Sequence, residues 1–164
     1  MITKNIKLND IKNIVIHPTV ISNKVGNTVL FLRPSTNTGA SSLFRYWRIG
    51  NKQESVPTTN LRNFFLDNKI TKVRLLKVDC EGSEFLIFSE ETKDLIAKNI
   101  IEFIALEYHP QICGKDKCQK IHNILCEGGY SLTKVNGQCI YHLPGLETNI
   151  KDLGRLNFCC NWDD

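Results

Sequence analysis

Residues 73–84 read Val-Arg-Leu-Leu-Lys-Val-Asp-Cys-Glu-Gly-Ser-Glu, and few folds accommodate such a stretch. An apolar run (Val73, Leu75, Leu76, Val78) stops abruptly at Asp79, Glu81, Gly82 and Glu84. Phe85, Leu86, Ile87 and Phe88 follow, then Leu95 and Ile96. The pattern predicts a buried strand, a turn and a helix, with Gly82 supplying the turn because glycine accepts positive φ without strain. Open α/β sheets bind ligands just outside the C-terminal ends of their strands. Three carboxylates within six residues at such an end are costly unless water, a cation, a base or a substrate hydroxyl faces them. The plainer alternative for Ser83 and Glu84 is that they open the helix, where acids favour the positive N-terminal end.

A second buried strand is expected at Ile100-Ile-Glu-Phe-Ile-Ala-Leu-Glu-Tyr108, and it too ends in polar residues, Glu107 and His109, before Pro110. Two adjacent parallel strands would set Asp79 and Glu107 at one sheet edge, with Glu81 and His109 each two residues further on. Carboxylates so placed can position a hydroxyl, accept its proton or hold a divalent cation. His109 suits a base because imidazole titrates near neutrality; otherwise it is a loop residue fixed by Pro110. Lys77, on the first of these strands, needs a partner that a neighbouring acid can supply.

The rest of the chain reads as short elements. Residues 4–12 give a short helix, and Ile14, Val15 and Ile16 a strand stopped by Pro18. Residues 22–27 are turn chemistry and 28–33 a β-branched strand, in a hairpin or meander with the first. Residues 34–44 are small and polar and read as a loop, and Gly50 to Thr59 as a further polar stretch. Leu61, Phe64, Phe65 and Leu66 mark one face of a helix capped by Thr59 or Asn60. A further helix runs from about Lys117 to Glu127 and stops at Gly128-Gly129. Residues 130–135 and 138–143 bracket Asn136-Gly137, a hairpin signal, and 156–160 form a last strand. Strands alternating with helices imply a mostly parallel α/β sheet in a single domain over residues 1–164, with antiparallel edge strands at the terminal hairpin.

The longest apolar runs fall short of the ~20 residues of a membrane span, and the first ten residues lack a signal-peptide core, so a cytoplasmic location and no membrane partner are expected. The seven cysteines then read as reduced thiols. One group stands out: His109, Cys113, Cys118 and His122, a Cys-x4-Cys flanked by histidines at spacings zinc accepts; otherwise it is a connector with incidental thiols. Residues 1–78 carry 13 Lys and Arg against 3 Asp and Glu, whereas residues 79–164 carry 8 against 14. The basic half lacks the interleaved aromatics of a nucleic-acid surface, so no nucleic-acid partner is expected.

Lys77-Val-Asp-Cys-Glu-Gly-Ser-Glu84 resembles the Lys-x-Asp-x-Glu-Gly-x-Glu signature of FkbM-type methyltransferases. Asn37-Thr-Gly-Ala-Ser-Ser-Leu43 is similar to that family's small-residue loop. Val56-Pro-Thr-Thr-Asn-Leu61 resembles its entry to the following helix, and Ile104-Ala-Leu-Glu-Tyr-His109 its second-strand ending. The resemblance spans roughly residues 5–160; Cys80 stands where Val is commonest. It implies a Rossmann-like class I methyltransferase that uses S-adenosylmethionine to methylate a hydroxyl of a sugar, glycan or other metabolite. By the same resemblance Asp79 and Glu81 line the site near donor and acceptor, with Asp79 touching the cofactor, and Glu107 and His109 close the same edge as further catalytic residues.

The N-terminal part departs from the pattern. Such enzymes begin with a strand and a Gly-rich cofactor loop, but the first glycine here is Gly26 and no Gly-x-Gly cluster occurs. Residue 1 corresponds to a point after the second strand, so the resemblance implies the C-terminal two-thirds of the fold, incomplete at its N-terminus. The strand ending at Asp79 then becomes an open edge, suited to self-association or to a completing chain. The rival reading is a non-catalytic remnant serving binding or assembly, zinc-stabilised through Cys113 and Cys118.

Overall fold

The chain opens with α1 (Ile2–Leu8) and then builds a small sheet from β1 (Val20–Ile21), β2 (Gly26–Phe31) and β3 (Gln53–Thr59). The structure, a computed structural model, describes residues 2–33, 41–45, 52–135 and 138–147. β3 is the middle strand: it runs parallel to β1, with Val20 opposite Thr58, and antiparallel to β2. α2 (Leu61–Asp67) comes directly after it, its Asn60 cap accepting the Asn63 N–H at 2.7 Å and so satisfying a free donor of the first turn. Leu61 and Phe65 bury the inner face of that helix.

The second sheet carries the core. β4 (Val73–Val78) leads into α3 (Glu84–Ile87), one turn of 3₁₀ helix (Glu90–Thr92) and α4 (Lys93–Ala97). β5 (Ile101–Leu106) returns parallel to β4, with Val78 opposite Leu106. After α5 (Pro110–Cys113) and α6 (Lys115–Glu127), the hairpin of β6 (Ser131–Val135) and β7 (Gln138–His142) places β7 antiparallel against β5. The order is β4-β5-β7-β6. β5 lies inside the sheet and is almost wholly buried, as its near-continuous apolar run requires. β4 stands at the end of the sheet, and its outer edge has no strand partner among the described residues.

α6 turns Cys118, Ile121, Ile124 and Leu125 inward, a helical stripe. Cys118, Ile121 and Leu125 pack with Phe88, Ile96, Ile104, Leu106 and Tyr141 into one continuous core. Phe103 and Ile140 form a smaller apolar patch of their own, with the Arg74 guanidinium 4.9 Å from the Phe103 ring centre. The end of α6 touches α4 closely: a Cβ at Gly128 would stand 2.4 Å from Ile96 Cγ2.

Several expectations change. The architecture is α/β, but the sheets are mixed and not mostly parallel: among the described strands, β1–β3 and β4–β5 are the parallel pairs and the other three are antiparallel. The polar stretch before residue 59 is a strand, β3, and it separates the two strands expected to pair. The first of those shrinks to Val20–Ile21, because Ile14, Val15 and Ile16 are exposed and find no sheet. The helical run after Gly82 is broken, since Phe88 leaves helical geometry at ψ 81°. The expected strand at 156–160, Asn136-Gly137 and residues 34–40 lie outside the described residues.

Candidate functional site

The ladder between β4 and β5 continues one residue past the strands: the Glu107 N–H donates to the Val78 carbonyl at 3.0 Å. Asp79 and Glu107 therefore leave the sheet side by side. Beyond Asp79 the backbone turns sharply, with Glu81 at φ +50° and Gly82 at φ +90°. A side chain at Gly82 is excluded by space as well as by conformation, since its Cβ would stand 2.5 Å from Ile112 Cγ2. The turn thus presses against α5, which begins immediately after His109.

Glu84 holds this turn together. It is the first residue of α3, is 1% exposed, and folds back over the turn. Its Oε1 accepts the Cys80 N–H at 2.9 Å and the Gly82 N–H at 3.2 Å. The same oxygen meets His109 Nδ1 at 2.9 Å. A carboxylate can only accept, so Nδ1 donates and Nε2 faces the other way. There Glu81 Oε2 and Glu107 Oε1 both stop 3.9 Å away. Asp79, Glu81 and His109 each offer one ligand-type atom within 4.8 Å of the other two. The structure thus gathers Asp79, Glu81, Glu107 and His109 into one group. It also adds Glu84, which the sequence places among three carboxylates in need of a facing group, with a plain helix opener as the alternative; the base that faces it is His109, and the turn's own N–H groups share the same oxygen.

The electrostatics reflect this packing. For His109, burial disfavours the imidazolium most strongly, but the Glu84 hydrogen bond and the charges of Glu84, Glu81 and Glu107 outweigh it, so its pKa lies above the ordinary value. Burial and the neighbouring Asp79 charge raise Glu107. Burial, reinforced by Glu84, pushes the Cys80 thiol up to about 12. Asp79 is exposed and pairs with Lys77 at 3.1 Å, the partner that lysine was expected to need. Ser42, from the segment bridged to Phe31, donates to the Glu81 carbonyl at 2.8 Å and ties the turn to the first sheet.

Asp79 also lines a cavity of about 370 Å³ between the two sheets. Val20, Ile21 and Leu30 wall it on one side, Leu76 and Ile87 on the other. Ser83 reaches it as well; this residue is 3% exposed and its hydroxyl has no hydrogen-bond partner. A buried hydroxyl left unsatisfied beside a cavity is a place where a ligand's polar group gains a hydrogen bond.

The expected zinc grouping does not assemble. Cys113 and Cys118 touch each other, Sγ to Sγ 3.8 Å, but His109 faces the carboxylates and His122 Nδ1 bonds the Tyr141 hydroxyl at 2.9 Å. Among the described residues the one group of three or more metal-ligating side chains is Asp79, Glu81 and His109. No described helix is long and apolar enough to cross a membrane.

Residues 2–132, well over half of the chain, match the family model described as the methyltransferase FkbM domain. Searches of curated proteins and of solved structures returned no match.

Proposed function

We propose that this chain, which belongs to the FkbM methyltransferase family, carries the acceptor end of an S-adenosylmethionine-dependent O-methyltransferase site acting on a hydroxyl of a small molecule or glycan. One observation carries the reading: Asp79 belongs both to the carboxylate–histidine group and to the cavity between the sheets. A ligand in the cavity would therefore lie beside groups able to hold a hydroxyl.

The cavity suits the cofactor in chemical type. Its walls are mainly aliphatic, fit for a flat base, while the unsatisfied Ser83 hydroxyl and the Asp79 carboxylate offer an acceptor and a negative charge to polar and cationic parts. Asp79, Ser83, Val20 and Ile21 are the residues that would hold it. When bound, S-adenosylmethionine supplies a methyl group on a positively charged sulfur, which departs as a neutral thioether. The protein's own contribution is alignment: Glu81, Glu107 and His109 fix the acceptor hydroxyl near Asp79. Asp79 or His109 would take the proton that the acceptor hydroxyl gives up on methylation.

Calorimetric titration of the purified chain with S-adenosylmethionine tests the reading. Saturable heat that Ser83→Val and Asp79→Asn weaken is the expected result. No heat up to millimolar ligand sinks the stand-alone enzyme and leaves a binding or assembly module. With an accepted substrate in hand, Asp79→Asn is expected to slow methyl transfer by roughly 10²–10⁴-fold.

A further inference from the structure

The geometry points to a divalent-cation site at Asp79, Glu81 and His109, fitted to a first-row transition ion such as Mn²⁺. Its place in methyl transfer rests on the function proposed above; the binding itself does not.

The first support is the state of His109. Its imidazole is 8% exposed, and one nitrogen is committed: Nδ1 donates to Glu84. The other, Nε2, is aimed into the acidic group without a hydrogen bond. Glu81 and Glu107 both stop 3.9 Å from it, beyond bonding distance. A metal–ligand bond to nitrogen or oxygen measures roughly 2.0–2.6 Å, so two atoms sharing one ion stand no further apart than about twice that. The chosen atoms of Asp79, Glu81 and His109 all fall within 4.8 Å of one another, which is compatible with that limit.

The second support lies behind the ligand. A histidine that binds metal through one nitrogen is characteristically held by a carboxylate on the other, which fixes ring orientation and raises its basicity. Glu84 stands in that position, 1% exposed and itself fixed by the Cys80 and Gly82 N–H groups. Two carboxylates and one imidazole form a mixed oxygen and nitrogen donor set, which suits Mn²⁺, Fe²⁺ or Co²⁺ better than the oxygen-only preference of Ca²⁺ or Mg²⁺.

Three protein ligands leave positions open on such an ion for water or for an acceptor oxygen. The ion uses the Nε2 lone pair, so in this state His109 is a ligand and a carboxylate is the proton acceptor. Glu107 borders the site without belonging to the three.

Titration of the chelator-treated chain with MnCl₂, following the free-ion signal by electron paramagnetic resonance, tests this without any cofactor or substrate. The expected outcome is one ion per chain, with Asp79→Asn and His109→Gln each weakening binding more than a hundredfold and excess Mg²⁺ displacing it poorly. Glu84→Gln, acting through His109, should weaken it roughly ten- to hundredfold. Asp79 is exposed, so Asp79→Asn tests the site even should the buried variants fail to fold. No binding up to millimolar Mn²⁺, or binding that Asp79→Asn leaves unchanged, overturns the proposal. Mn²⁺ binding without S-adenosylmethionine binding upholds the ion site and removes the methyl-transfer reading; the reverse result removes only the ion.

Discussion

Two groups of chemistry-bearing side chains share His109, and they end up differently. Asp79, Glu81, Glu107 and His109 come from segments some thirty residues apart and assemble. His109, Cys113, Cys118 and His122 are near neighbours in sequence and do not. The difference lies in what fixes each group. The first is set by a parallel strand register and by a buried carboxylate that locks both the turn and the imidazole. The second runs from the residue before α5 onto α6, which directs Cys118 into the core while His122 bonds Tyr141. Closeness along the chain is a weaker constraint than a shared sheet edge.

Changes to the turn should therefore cost far more than changes to the thiols. The largest effect is expected from Glu84→Ala, which strands a buried imidazole and two backbone N–H groups; removing one member of a buried pair usually costs about 3–5 kcal/mol, a loss measurable by urea unfolding. A loss under ~1 kcal/mol would show that Glu84 does not lock the turn. Next comes Gly82→Ala, at about 1–3 kcal/mol, because the methyl meets Ile112 and the φ of +90° resists a side chain. Cys113→Ala should cost only about 1 kcal/mol, and a strong chelator should leave its melting temperature unchanged relative to the parent chain; a chelator-induced drop seen in the parent alone would revive the cysteine site.

At neutral pH a further effect is silent, because it is a pH dependence that emerges only in alkali. Burial holds the Cys118 thiol up at about 12, against an ordinary 9.0. Between those values the unfolded chain releases this proton while the folded chain keeps it. The unfolded state then binds fewer protons, so this contribution is intact below pH 9 and is lost as pH rises towards 12. Comparing melting curves of Cys118→Ala and the parent across that range isolates it. At pH 8 iodoacetamide should reach exposed Cys126 well before Cys118.

How much of the molecule was legible in the sequence depends on which signals are local. β4, β5, α6 and the terminal hairpin announce themselves through apolar runs, a helical stripe and Asn136-Gly137. The meeting of Asp79 with Glu107 came from two strands expected to lie parallel. β3 was hidden because Gln-Glu-Ser-Val-Pro-Thr-Thr has the composition of a loop; it is a strand because β1 and β2 flank it. Its proline is tolerated since β1 pairs only from Thr58 onward, so at Pro57 that side is still an edge. The role of Glu84 was hidden for another reason. An acid opening a helix looks the same in sequence whether it faces solvent or turns inward, and only burial tells the two apart.

The turn fastened by Glu84 has a consequence for how the site breathes. The amides of Cys80 and Gly82 are shielded by a side-chain oxygen and not by a carbonyl of the sheet or helix. Their exchange with deuterated solvent should be gated by the carboxylate letting go, a local opening distinct from global unfolding. The same oxygen grips His109, so those two amides form a built-in reporter: a ligand or ion that steadies the imidazole should slow their exchange while leaving amides deep in β5 unaltered.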